Sequence, residues 1–174
     1  LTFIPFPIEV KECTRRWYDP SRPLRFFIGI QRKRNAYKGT DIMLQALLRL
    51  KDEHPDEMEV LKAESVPFEQ YCKMIDSADV LLDQLYGYTP AMNALQAMSQ
   101  GLVVVGGAEP ESYAILGEEH LRPIVNVQPT EDSVHDEMER MLLMRRDGVA
   151  GMQRDSVEYV HRHHDHVKGA QAYA

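Results

Sequence analysis

The sequence predicts a doubly wound, parallel α/β fold with helices on both faces of the sheet, and three observations predict it. Residues 80–82 (VLL) and 102–105 (LVVV) are continuously apolar, as strands covered on both faces are. Between them lies a single helix-length segment, the spacing of a parallel crossover. Residues 24–30 (LRFFIGI) repeat the buried-strand pattern upstream, and a second helical segment follows them.

Each element has its own signal. The helix after the first strand runs from Asp41 to about Glu53, with Met43, Ala46, Leu47 and Leu50 on one face and Thr40 as its N-cap. Residues 58–61 read as a weak strand. Pro67 opens a helix whose Phe68, Tyr71, Cys72 and Ile75 form a buried stripe. After the strand at 80–82, Thr89 is the N-cap and Pro90 the first residue of a helix that lays Ala91, Ala94, Leu95 and Met98 on one face. Gly101 ends that helix, where a left-handed residue is commonly needed. Gly106 and Gly107 open a loop leading to a short helix over 112–116. Residues 124–127 form the last strand. Helices over about 132–145, capped by Asp132 or Ser133, and 149–166 complete the chain.

Composition sets further bounds. The 174 residues, 44% of them hydrophobic, supply one sizeable core without a repeat or a low-complexity linker, so residues 1–174 are expected to be a single domain. No apolar run approaches the length that crosses a bilayer. The 20 Lys and Arg are outnumbered by 27 Asp and Glu, which argues against nucleic acid as the main partner. Cys13 and Cys72 lie far apart without metal-ligand spacing, and nothing resembles a signal peptide, so a cytoplasmic location is expected. No Gly-x-Ser-x-Gly, Cys-x-x-Cys or His-Glu-x-x-His motif is present. The first residue is Leu rather than Met, in keeping with a fragment of a longer protein.

Two loops carry chemistry. The N–H groups of Ala91, Met92 and Asn93 would point out of a helix N-terminus beside the carboxyl end of a strand, where open α/β sheets place anionic ligands. The first strand runs into Gln31, Arg32, Lys33, Arg34, Asn35, Ala36, Tyr37, Lys38 and Gly39, four cations in an otherwise acidic chain. If both loops share one sheet edge, Arg32 and Lys38 face a diphosphate lodged at the helix that starts at Pro90. Glu109 and Glu111 are the carboxylates placed near this crevice, and Glu111 equally suits the first turn of the helix that follows. His161, His163, His164 and His166 fall on two faces of one expected helix, so a shared metal ion is not expected.

These features resemble the C-terminal half of retaining, GT-B-type glycosyltransferases, whose fold is Rossmann-like. The resemblance rests on a strand ending near Gly29, a basic residue, Lys38-Gly39 opening a helix, Ala78-Asp79-Val80, a helix ending Ala97-Met98 ahead of Gly101, Val103-Val104-Val105, and the Gly106-Gly107 loop leading to Glu111. It covers most of the chain, and the opening IPFPIEV is similar to the family's passage into this domain. It implies a domain that binds a nucleotide-diphosphate sugar for transfer to a glycan, lipid or polysaccharide precursor, as in cell-envelope or polysaccharide biosynthesis. Arg32 and Lys38, six residues apart, would act on the diphosphate. Tyr88, Thr89, Pro90, Ala91, Met92, Asn93, Gln96, Gly107 and Glu111 would line the donor site. It further implies a missing N-terminal acceptor domain, without which this domain is inactive, no metal or other cofactor, and peripheral membrane association of the full-length protein.

The chain also departs from that family. The family's two glutamates, separated by seven residues, correspond to Tyr88 and Gln96, so an aromatic hydroxyl and a neutral amide replace two carboxylates. Gln31 stands where a glycine is usual, a Gly-x-Gly loop after the second strand is missing, and one strand-helix unit, not two, separates the first helix from Ala78. The alternative reading is a non-catalytic binding or regulatory module of the same fold. A phosphoacceptor receiver is a poorer fit, because Asp83 alone stands near a strand end and cations follow the first strand.

Overall fold

The computed structural model describes residues 5–10, 12–31, 33 and 35–171, and of Asn35 the backbone alone. Five parallel strands lie in the order β2-β1-β3-β4-β5: β1 (Leu24–Ile30), β2 (Met58–Glu64), β3 (Val80–Leu82), β4 (Val103–Gly106) and β5 (Val125–Asn126). Phe26 is opposite Val60 on one side and Val80 on the other, and Val80 is in turn opposite Val103, so the three apolar runs of the sequence stack at the sheet's centre.

Alternation along these strands builds two cores. Leu24, Phe26, Ile28, Val80, Leu82, Val103 and Val105 face α2 (Thr40–Glu53) and α6 (Glu131–Leu143) through Met43, Leu47, Leu50, Val134 and Met138. Phe27, Leu81 and Val104 face the other way. They pack on Ile75 of α3 (Phe68–Ser77), Ala94, Leu95 and Met98 of α4 (Met92–Ser99), Tyr113 of α5 (Pro110–Leu116) and Tyr159 of α7 (Val149–His163). Both faces are therefore covered, as the unbroken apolar runs require. The chain leaves β1 toward one face and β3 toward the other. Their carboxyl ends thus form the crevice that a doubly wound sheet opens at its switch point.

Several elements differ from expectation. The weak strand at 58–61 is a seven-residue edge strand, Met58–Glu64, whose half-exposed Glu59 and exposed Lys62 suit its position. Thr40 lies inside α2, and Gly39 precedes it in the left-handed region at φ 70°, where a Cβ would come within 2.9 Å of Leu85. A short helix α1 (Asn35–Lys38) fills the basic loop. Helix α4 starts at Met92 with Ala91 as N-cap, two residues later than Pro90, and Gly101 beyond it is left-handed as expected, at φ 82°. Helix α5 begins at Pro110, and Thr130, not Asp132 or Ser133, caps α6 by accepting the Ser133 N–H at 3.2 Å. Only Ile75 of the α3 stripe is buried; Phe68 is 80% exposed.

The expected last helix is broken. Helix α7 stops at His163, and after Asp165 the chain continues as α8 (His166–Gln171). Ile8 lies in the break: its N–H donates to His164 O at 2.8 Å, and His166 N–H donates to Ile8 O at 3.1 Å. Further along this N-terminal segment, the Arg15 guanidinium donates to the carbonyls of Ala78, Asp76 and Ile75, which end α3. Tyr18 N–H donates to the buried Gln153 side chain at 2.7 Å.

Candidate functional site

The loops after β1, β3 and β4 meet at the carboxyl edge of the sheet and are joined by peptide hydrogen bonds. Leu85 N–H donates to Lys38 O at 2.9 Å, Gly107 N–H to Gln84 O at 3.0 Å, and Glu109 N–H to Tyr88 O at 3.2 Å. The third loop is also held from β5, where Asn126 Oδ1 accepts the Ala108 N–H at 2.9 Å. Gly107 is required here for space: a Cβ would lie 1.5 Å from Gly87 O.

Beside these loops opens a cleft of about 510 Å³. It is lined by Gly29, Ile30 and Gln31 at the end of β1, Ser65 after β2, Leu82 and Asp83 at the end of β3, and Lys38, Phe68, Tyr71 and Asn93. Ser65 holds a left-handed backbone at φ 55°, uncommon outside glycine. Tyr71 lies edge-on to Phe27 with ring centres 5.2 Å apart and fits against Gly29, where an added Cβ would stand 3.2 Å from its ring. Its hydroxyl accepts Asn93 Nδ2 at 3.1 Å, which links α3 to the first turn of α4.

Asp83 is the most deeply buried polar group that lines the cleft, 6% exposed. One carboxylate oxygen, Oδ2, accepts the Ala91 N–H at 3.1 Å and so caps α4. Burial pushes the Asp83 carboxyl above the usual range, while the Ala91 N–H and the charge on Lys38 pull it down. Burial likewise pushes the Tyr71 phenol up.

The sequence candidates fall into three groups. Lys38 and Asn93 both line the cleft. Arg32 lies outside the described residues. The others do not line it: Tyr88 and Met92 are 78% and 56% exposed, Thr89 is exposed, Pro90 is buried, and Gly107 is closed behind Gly87. Gln96 turns along its own helix, its Nε2 3.4 Å from Ser99 Oγ. Glu111 is exposed in the first turn of α5. The Ala91 N–H, expected to meet a ligand anion, is bound by Asp83. The sequence pattern puts Tyr71 on a core stripe and gives Asp83 no role in the site; an acid directly after an apolar strand is the signal that marks it.

The histidines do not converge. His163 Nε2 lies 2.7 Å from Glu118, buried His164 places Nδ1 2.9 Å from Phe6 O, and His166 Nδ1 is 3.2 Å from Ile8 O. Among the described residues, Glu53, His54 and Glu139 bring three ligand atoms within 4.8 Å of one another. Those groups are already engaged: His54 with Glu57 and Glu139 at 3.3 Å each, and Glu53 with His135 at 2.7 Å.

Among solved structures, the pneumococcal O-GlcNAc transferase GtfA, in complex with UDP and GlcNAc, superposes over 98% of this chain with a TM-score of 0.60 and 11% identity. The chain has the fold of a GT-B-type glycosyltransferase domain. The α,α-trehalose-phosphate synthase (UDP-forming) of Burkholderia vietnamiensis matches 88% of it, with a TM-score of 0.58 and 10% identity. This GT-B-type domain spans 38% and 43% of the lengths of those two chains. No family model and no curated protein matches the sequence. No helix among its described residues is long and apolar enough to cross a membrane.

Proposed function

We propose that this GT-B-type domain binds a nucleotide-diphosphate sugar and belongs to a glycosyltransferase whose acceptor site lies in a further, N-terminal domain. The observation that carries the reading is the cleft at the switch point of the sheet, lined by Lys38 and by Asn93 at the start of α4. Negative charge accumulates on the nucleotide diphosphate as the glycosidic bond breaks. The charge of Lys38, together with that of Arg32, favours that state over the intact donor. No metal is needed for this role, and the acceptor would be a glycan, a lipid or a polysaccharide precursor.

Titration calorimetry with UDP, GDP and ADP and their hexose conjugates tests the reading. One nucleotide should bind saturably, and the Arg32→Ala, Lys38→Ala double variant should bind it about tenfold or more weakly, the order expected for charge-assisted contacts to phosphate. Equal affinity in parent and double variant refutes the assignment. A non-catalytic module of the same fold is favoured by one observation, the turning of Gln96 toward Ser99 and away from the cleft. Turnover of a nucleotide sugar by the longer protein would exclude it.

A further inference from the structure

The start of α4 is where a ligand phosphate would be expected to dock, yet the protein has placed a carboxylate of its own there. Asp83 comes directly off β3, is 6% exposed, lines the cleft, and holds the Ala91 N–H through Oδ2. Its second oxygen, Oδ1, has no hydrogen-bond partner among the described residues. An ionised carboxylate only accepts hydrogen bonds, so Oδ1 is left to take one from a group that enters the cleft. The groups that face it are Lys38 from α1, whose charge acts on it, and Tyr71 from α3, whose hydroxyl is engaged by Asn93.

Resting on the nucleotide-sugar reading above, we propose that Asp83 determines ligand choice in this cleft: Oδ1 accepts a hydroxyl of the glycosyl group, and its charge keeps the diphosphate away from α4, on the Lys38 side. The two halves follow from one arrangement. Like charges a few ångströms apart in a half-buried site repel strongly, so a phosphate does not share the α4 N-terminus with Asp83. A neutral hydroxyl meets no such repulsion and supplies the proton that Oδ1 lacks. A bare nucleoside diphosphate then uses half of the site, and the sugar conjugate uses both halves.

The ratio of the conjugate's affinity to that of the bare diphosphate reads this directly. The same panel, UDP, GDP and ADP with their hexose conjugates, is titrated into the parent, Asp83→Asn and Asp83→Ala, with circular dichroism confirming the fold. Asp83→Asn keeps an oxygen for the Ala91 N–H and loses the charge and the free acceptor, so α4 stays capped. The ratio should fall about tenfold in both variants, while the bare diphosphate binds Asp83→Asn at least as tightly as the parent. An unchanged ratio in Asp83→Asn overturns this inference and leaves the nucleotide-sugar reading standing. Binding of no nucleotide by parent or variant overturns both.

Discussion

Replacing Gly107 by alanine strikes the joint between the two glycine-containing loops. The new Cβ would stand 1.5 Å from Gly87 O and 2.7 Å from Gly87 C, where ordinary contact begins at 3.4 Å, so the loops must part by about 2 Å. Both atoms met are backbone, and no side-chain rotation relieves the overlap. Parting the loops breaks Gly107 N–H to Gln84 O (3.0 Å) and Glu109 N–H to Tyr88 O (3.2 Å). Two such bonds are worth about 1 kcal/mol each, and forced overpacking costs about 1–3 kcal/mol, so the variant should lose about 3–5 kcal/mol. Urea unfolding followed by circular dichroism measures this as a lower midpoint at constant m-value. Gly151 is the internal control. It lies in α7 with nothing within 4 Å of a Cβ, so Gly151→Ala should leave stability unchanged or raise it by about 0.4–1 kcal/mol. Equal midpoints for Gly107→Ala and the parent would refute the close approach of the two loops.

Three other perturbations have defined outcomes. Arg22 donates twice, at 2.7 Å each, to Asp79, which is 2% exposed, so Arg22→Ala leaves a buried carboxylate with the Arg25 N–H but without its paired guanidinium and should cost about 2–3 kcal/mol by the same unfolding assay. Glu118 is held well below the usual carboxylate range by the Leu121 N–H, His163, the His120 N–H and Arg162. A depressed folded pKa stabilises above the unfolded value of about 4.3 and loses that contribution as pH falls below it. Glu118→Gln should therefore lower stability at pH 7 and flatten the acid limb of a stability-against-pH curve; an unchanged limb would contradict the network. Tyr71→Phe removes the acceptor of Asn93 Nδ2 and should weaken nucleotide binding severalfold with less than about 1 kcal/mol lost in stability. Affinity equal to the parent would show that the Tyr71–Asn93 link does not shape the cleft.

The central strands were legible because residues such as Phe26, Phe27, Leu81 and Val104 are apolar on both faces of a covered sheet, a local pattern with a single structural meaning. The edge strand was half legible: Lys62 and Glu59 interrupt its apolar run because one side of β2 meets water. The start of α4 was misplaced by two residues because Thr89 and Pro90 carry the local signal, whereas Asp83, eight residues upstream of Ala91, supplies the cap. Phe68 and Tyr71 had helical spacing with Ile75, and periodicity does not distinguish a core stripe from a cleft wall. The sheet edge that gathers Lys38 and Asn93 was readable from strand order, while the lacing of the loops through Leu85, Gly107 and Glu109 depends on backbone groups that every sequence possesses.

The bridge between Ile8 and the break after α7 bears on the order in which the molecule assembles. The contact joins residues 158 apart, and closing so long a loop in an unfolded chain costs on the order of 4 kcal/mol for two peptide hydrogen bonds in return. Once the sheet exists and Arg15 and Tyr18 are docked, the loop that remains to be closed runs only from Arg15 back to Ile8, and the cost falls to about 2 kcal/mol. The bridge thus closes late in folding and opens early in unfolding. Opening it exposes His164, buried with its carbonyl on the Ile8 N–H and its ring on Phe6 O, to water.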